Sequence, residues 1–150
     1  MTGTAPQPTA PGAPRAAGAH RLDAVHVEGD VYAVDVRGHR LLVDQPAHAG
    51  GTDTAPTPTE LFAASLATCV AFYAGRHLDH HGLGRTGLRV AVEYTMAHDP
   101  PARVAAIRLT VTPPPGLSEE RRAALIAVAS HCVVHRTLQQ PPAVDIVLAP

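Results

Sequence analysis

The chain has 150 residues, 45% of them hydrophobic, and its 12 basic and 13 acidic residues leave a formal net charge of −1. Its length and apolar content predict one domain with a hydrophobic core, and its balanced charge argues against nucleic acid or an anionic membrane as a partner. Every basic residue is arginine, which excludes lysine Schiff-base chemistry and the P-loop phosphate site.

The first segment, residues 1–20, is rich in Pro, Ala, Gly and Thr and contains no apolar run. This composition predicts a disordered N-terminal arm rather than a signal peptide, a transit peptide or a membrane span. A single folded domain is then expected over residues 21–150, in a cytoplasmic protein. In that compartment its two cysteines, Cys69 and Cys132, would be reduced at rest.

Three short segments of alternating polarity follow, at 22–28, 31–37 and 39–44. Gly29-Asp30 and Gly38 separate them, and such residues favour tight turns between strands. The pattern predicts a three-stranded antiparallel meander. A loop over residues 45–55, containing Gly50-Gly51, leads to the next element.

A helix is predicted over residues 58–80. Thr57 can cap its first turn, Pro58 stands at the first helical position, and Glu60 is spaced for a capping box. Apolar residues then occupy more than half of the helix circumference, which indicates a mostly buried helix. Cys69 lies in its middle.

The second half of the chain repeats the alternation of strands and helix. Residues 88–96 and 104–111 predict a hairpin, and Ser118 caps a second helix that carries Leu125, Ala129 and Cys132 on one face. Alternating Val144, Ile146 and Leu148 predict a last strand.

The resulting order is βββ-α-ββ-α-β, an α+β fold with antiparallel sheets around two apolar central helices. One small chain cannot easily surround two helices that are apolar over most of their circumference. A homodimer that pools four helices between its sheets would bury them, so we expect this chain to dimerise.

Two motifs resemble the OsmC/organic hydroperoxide resistance family. They are P-x-P-T-E-L-F-A-A-S-L-A-T-C, which ends at Cys69, and H-C-V-V-H-R-T-L around Cys132, with a hairpin between them. The resemblance covers about residues 22–149. It implies an intertwined homodimer whose cysteines reduce organic hydroperoxides, with Cys69 as the peroxidatic thiol, Cys132 as the resolving thiol and a disulfide between them.

The resemblance also implies an arginine, held by a glutamate, that activates the attacking thiol. Glu60 matches that glutamate, but nine helical residues place it ~13 Å along the axis from Cys69, so it would act only by orienting the arginine. A capping role for Glu60 is equally compatible with its position. For the arginine itself we favour Arg40, then Arg37, whereas Arg76 shares the helix face of Cys69 two turns away.

One departure from the family lies directly after the second cysteine, where many relatives have proline and this chain has Val133. The absence of this proline predicts a helix that continues through Cys132. We interpret His135, one turn further on, as structural. The histidines His77, His80 and His81 lack the paired ligand clusters of a structural zinc site, so we expect neither a metal nor a cofactor.

Two functions remain open at this stage. The first is a thiol peroxidase in oxidative stress defence, recycled by a small or protein-bound dithiol. The second is a non-catalytic dimer of the same fold that binds a small apolar ligand between its subunits. For the peroxidase, apolar neighbours of Cys69 on its helix predict a pocket that prefers organic hydroperoxides to hydrogen peroxide; they are Phe62, Leu66, Val70, Phe72 and Tyr73.

Overall fold

A computed structural model describes residues 20–149, so the N-terminal arm expected over residues 1–20 lies almost wholly outside it. The described chain is α+β, as the sequence predicted. Its elements, in order, are β1 (Asp23–Glu28), β2 (Val31–Val36), β3 (His39–Val43), a 3₁₀ turn (Ala47–Ala49), α1 (Pro58–His80), β4 (Arg89–Met96), β5 (Val104–Thr112), α2 (Glu119–Ala129) and α3 (Val133–Gln139).

The N-terminal strands form the predicted antiparallel meander, in the order β1-β2-β3. Arg37 and Gly38 join β2 to β3 with positive φ angles of 50° and 82°, as in the type I′ turns that suit the twist of hairpins. The second hairpin, β4-β5, is also as predicted. No extensive contact joins the meander to any other helix or strand of the described chain.

The loop between β3 and α1 is organised around Asp44, whose side chain is buried. One carboxylate oxygen accepts hydrogen bonds from the backbone N–H and the hydroxyl of both Thr52 and Thr54, at 2.8–3.2 Å. The other accepts from the N–H of Gln45 at 2.7 Å. Because a buried carboxylate needs such donors, the loop closes around Asp44 and leads the chain into α1.

Helix α1 begins with the predicted capping box. The Thr57 N–H donates to Glu60 Oε2 at 2.7 Å, and the Glu60 N–H donates to Thr57 Oγ1 at 3.1 Å. The helix packs against α2, α3, β4 and β5. By length and composition alone α1 would also be able to cross a membrane, a property that core helices share.

The main core lies where α1 crosses the C-terminal helices. Its buried members come from α1, α2 and the start of α3, and β4 and β5 cover it with half-buried side chains. The fully packed residues are Leu66, Val70, Ala74, Leu78, Leu125, Ala129 and Cys132.

Two expectations for the C-terminal region are wrong. The second helix does not run through Cys132 but ends at Ala129, and α3 begins at Val133 with Cys132 as its N-cap residue. The segment with Val144, Ile146 and Leu148 forms no strand in the described chain, and Ile146 and Leu148 are 95% and 98% exposed. Its alternation signals an apolar face, but a strand also needs a neighbouring strand for its backbone hydrogen bonds, and none in the described chain pairs with this segment.

Candidate functional site

The two cysteines come together between α1 and α3. Cys69 is half-buried, whereas Cys132 is fully buried at the N-terminal end of α3, and both are free thiols. Cys69 packs against the core cluster that contains Cys132. The fold thus brings together two residues that lie far apart in the sequence.

The surroundings of Cys132 favour its protonated form. Burial raises the pKa of the Cys132 thiol, and interaction with the thiol of Cys69 raises it further. Hydrogen bonding from the backbone N–H of His135, 3.4 Å from the Cys132 sulfur, and from that of Val134 opposes this change only in part. Cys132 therefore keeps its proton at neutral pH, since a thiol has an ordinary pKa near 8.5.

The structure places Glu60 and Arg40 away from the sulfur atoms. Glu60 is exposed, and its carboxylate bonds to the first turn of its own helix. Arg40 lies on β3, where its Nε and Nη2 donate to the two oxygens of Asp35 at 3.0 and 2.9 Å across the β2-β3 pair. Within one chain, Glu60 and Arg40 form no ion pair with each other.

The other candidate arginines form no hydrogen bond with Cys69 in the described chain. Arg37 occupies the β2-β3 turn, and the Arg76 guanidinium lies 6.0 Å from the ring centroid of Phe72. The four ion pairs in residues 20–149 use Arg21, Arg40, Arg85 and Arg103, and none of these arginines donates a hydrogen bond to Cys69.

His135 is a site residue that the sequence interpretation treated as structural only. Its ring Nδ1 lies 2.6 Å from the carbonyl oxygen of Ser130. A carbonyl only accepts, so Nδ1 carries the proton and Nε2 of the neutral ring is left as an acceptor. The Cys132-x-x-His135 spacing was the one sequence signal for this arrangement, because residues three apart on a helix are neighbours.

The ring of His135 lines an apolar cavity of about 580 Å³ between α1, β5 and α3. Phe62 and Leu66, both predicted pocket residues, line it as well, and His135 provides the polar side chain of the lining. Val70 borders a separate small cavity, Tyr73 borders a third, and Phe72 is 56% exposed. Cys69 lines none of these three cavities, so the expected pocket is only partly formed in a single chain.

The histidines at the end of α1 lie against one another, with the ring centroids of His77 and His81 4.3 Å apart and the rings tilted by 42°. In the part of the chain that the structure describes, no three His, Cys, Asp or Glu side chains are arranged to hold a metal ion.

The two cysteines thus meet between a long central helix and a short C-terminal helix, and a comparison with known protein families covers this part of the chain. Residues 51–147 match the family model of OsmC-like protein. The chain belongs to the OsmC family. This match includes both cysteine motifs, so the resemblance inferred from the sequence is confirmed.

Solved structures of OsmC relatives share the fold at low identity. A Psychrobacter arcticus protein named for an osmotic stress and detoxification response has a TM-score of 0.73 at 22% identity, over 80% of this chain and 88% of that one. An OsmC-like protein from Mycoplasma pneumoniae has a TM-score of 0.69 at 20% identity, over 83% and 90%. An organic hydroperoxide resistance protein from Legionella pneumophila has 0.60 at 20%, over 80% and 90%. No curated protein matches the sequence.

Proposed function

We propose that this OsmC protein is a cysteine-based peroxidase that reduces organic hydroperoxides. The observation that carries the proposal is the pairing of a half-buried thiol, Cys69, with a buried, protonated neighbour, Cys132. Membership of the OsmC family supports a stress-related redox role. The Legionella relative is itself named an organic hydroperoxide resistance protein.

The reaction needs only these two sulfur atoms and an external reductant. The Cys69 thiolate attacks the terminal oxygen of ROOH, the O–O bond breaks, and RO⁻ takes a proton from water as Cys69 becomes a sulfenic acid. The Cys132 sulfur then attacks the Cys69 sulfur; its proton and the departing hydroxide form water, leaving a disulfide. A small or protein-bound dithiol supplies two electrons and two protons to restore both thiols.

The apolar cavity beside His135 supports a preference for organic peroxides. Burial of each methylene is worth ~0.8 kcal/mol, so a four-carbon tail would contribute about 3 kcal/mol, or roughly a hundredfold, to the specificity constant. Hydrogen peroxide has no tail to bury. Nε2 of neutral His135 would accept a hydrogen bond from the hydroperoxide O–H.

Activation of Cys69 would need an arginine from outside its own chain's core, and we retain Arg40 for this role. The meander makes no extensive contact with α1 of the same chain, so Arg40 would approach Cys69 of a partner in a homodimer.

Arg40→Gln should then lower the peroxide rate by about tenfold or more, because a nearby cation stabilises the thiolate. Arg21, exposed and paired with Asp23 at 2.7 Å, provides the control: Arg21→Gln should leave the rate unchanged.

Glu60→Gln separates the two roles of Glu60. Glutamine preserves a capping box, so the variant should keep its stability in urea. If Glu60 orients an arginine, the peroxide rate should nevertheless fall; an unchanged rate would leave Glu60 with its capping role alone.

Thiol titration tests the proposed reaction directly. The reduced protein is treated with one equivalent of cumene hydroperoxide and its free thiols are counted. We expect both thiols to be lost and mass spectrometry of the digest to identify a Cys69–Cys132 disulfide. Two thiols remaining after an hour with excess peroxide would contradict the peroxidase proposal.

A second candidate is favoured by the apolar cavity near His135. In this alternative the same fold binds a small apolar ligand and does no chemistry. The titration distinguishes the two candidates, because a binding protein would keep both thiols while an apolar ligand protects it against thermal unfolding.

A further inference from the structure

A second large cavity lies near the C-terminal end of α1 and is unlike the apolar one. Its volume is about 620 Å³, and α1, the following loop and α2 contribute its lining. Charged and polar side chains dominate this lining, with Tyr73 and Val128 as an apolar side; the others are Arg76, His77, Asp79, His80 and Arg85.

Arg85 is held in a fixed position in this cavity. Its Nε donates to both oxygens of Asp79 at 3.0 and 3.1 Å, and its Nη2 donates to the same carboxylate. Asp79 thus occupies one edge of the guanidinium. The remaining nitrogen, Nη1, has no hydrogen-bond acceptor among residues 20–149.

Gly75 provides the space that Arg85 occupies. A β-carbon built at Gly75 would lie 3.0 Å from both Cζ and Nη1 of Arg85. Glycine within a helix lowers helix stability by about 1 kcal/mol relative to alanine. The close approach of the Arg85 guanidinium to the helix backbone, which a larger residue would block, is a packing reason for glycine at this position. The result is an arginine whose free edge is positioned before any ligand arrives.

The charge around this free edge is positive. Arg76 lines the same cavity and has no carboxylate within ion-pair distance in the described chain. Burial lowers the pKa of His77, and the charges of His81 and His80 lower it further. The two arginines carry the positive charge at neutral pH; Asp79 is hydrogen-bonded to Arg85 and also feels the charge of Arg76, so one carboxylate faces two guanidinium groups.

We propose that this cavity binds the oxyanion of a small organic ligand, a carboxylate or a phosphate attached to an apolar body. Arg85 Nη1 and Arg76 bind the anionic group, because guanidinium groups match the geometry of both oxyanions. Tyr73 and Val128 contact the apolar part. Neither cysteine takes part, so the proposal does not depend on the peroxidase function.

The test is a titration of the full-length reduced protein at constant ionic strength, followed by amide chemical shifts in NMR. Inorganic phosphate and hexanoate are the two probes: saturable binding of either one supports an oxyanion site, and tighter binding of hexanoate supports the contact of Tyr73 and Val128 with an apolar part. We expect saturable shifts for residues around the cavity, and Arg85→Gln and Arg76→Gln should each weaken binding by about tenfold, since each removes a charge-assisted hydrogen bond.

Two further variants test whether the position of Arg85 matters and provide a control. Gly75→Ala should displace Arg85 and weaken binding while the helix stays folded, because alanine favours helix. Arg108→Gln is the control: Arg108 is exposed and lines a separate cavity beside Glu93, so this variant should bind as the wild type does. Unsaturable shifts with both probes, or equal losses in Arg85→Gln and Arg108→Gln, would overturn the proposal.

Discussion

Cys132 is fully buried and retains its proton, whereas Cys69 is partly accessible to solvent. A thiolate is the nucleophile in peroxide reduction. A neighbouring thiol that stays protonated does not attack the peroxide itself and reacts only after a sulfenic acid has formed. The different environments of the two sulfurs thus support the same order of events that the sequence resemblance implied.

Serine variants test this division of labour. Cys69→Ser should abolish peroxide consumption. Cys132→Ser should allow one turnover and then accumulate sulfenic or sulfinic acid on Cys69, because no second thiol is present to form the disulfide. Mass spectrometry after one equivalent of cumene hydroperoxide measures both outcomes. Normal cycling of Cys132→Ser with a dithiol would show that Cys132 is dispensable for resolution.

The buried carboxylate of Asp44 gives a second prediction about a single residue. Hydrogen bonds, led by that from the Thr54 N–H, hold the pKa of Asp44 well below its ordinary range. Its folded-state pKa is thus below the unfolded value of about 3.9, so its contribution to stability is full above that pH and is lost as the pH falls below it.

Asp44→Asn should therefore lower stability at pH 7 and weaken its dependence on pH between 5 and 2. An asparagine that keeps its oxygen toward Thr52 and Thr54 turns its NH₂ group toward the N–H of Gln45, which leaves two donors facing each other. Urea unfolding across this pH range measures the effect. Asp53→Asn is the control, because Asp53 is exposed and its positive φ of 57° also suits asparagine. Parallel pH curves for wild type and Asp44→Asn would contradict the assignment.

At the scale of elements, local signals in the sequence predicted most of the fold. The capping residues Thr57 and Glu60 predicted the start of α1, whose observed range matches the prediction, and the five observed strands differ from their predicted ranges by only one residue at some ends. These features depend on neighbours within a few positions. The break after Ala129 was not predicted, because an apolar spacing of i, i+4 and i+7 is satisfied by one helix or by two.

The site was less predictable than the fold for a physical reason. The meeting of Cys69 with Cys132 depends on the packing of α1 against α3, and the motif resemblance, rather than any local pattern, predicted it. The polar cavity at Arg85 depends on a loop that folds back onto Gly75. Contacts of this kind, between distant segments, produce little signal in the periodic pattern of apolar residues along the sequence.

The break before α3 explains how the chain accommodates Val133 at the position where the sequence resemblance implied proline. Val133 is the first residue of α3, a position where a missing N–H costs no helical hydrogen bond. Cys132 before it has ψ 151°, which is the extended conformation that proline requires of its predecessor. The absence of proline therefore does not extend the helix.

Val133→Pro should consequently leave stability in urea unchanged or slightly raised, and Cys132 should remain able to form its disulfide. Ala127→Pro is the contrasting variant, because Ala127 lies inside α2 and proline in a helix interior costs about 3 kcal/mol. Similar losses of stability in both variants would mean that α2 and α3 behave as one helix in solution.

For the whole molecule, the exposed apolar surface of one chain is the main unexplained feature. Apolar side chains of the meander stand about half exposed, including Leu22, Val27 and Leu42, and the segment 144–148 carries four that are at least 77% exposed. Surface of this kind marks an interaction site. A second copy would cover it, and the C-terminal segment, which pairs with no strand of its own chain in residues 20–149, would pair there with an edge strand of the partner.

We therefore expect an obligate homodimer, with sedimentation at micromolar concentration giving twice the chain mass of 15.6 kDa. Ile146→Asp combined with Leu148→Asp should shift the protein toward monomer, because both side chains would bring a charge into the apolar interface. Ala149→Asp, an exposed position next to this segment, adds a charge without removing an apolar side chain and should stay dimeric. If the wild type sediments as a folded monomer, Arg40 cannot reach Cys69 through a partner, and both the assembly and that route to thiolate activation would have to be abandoned.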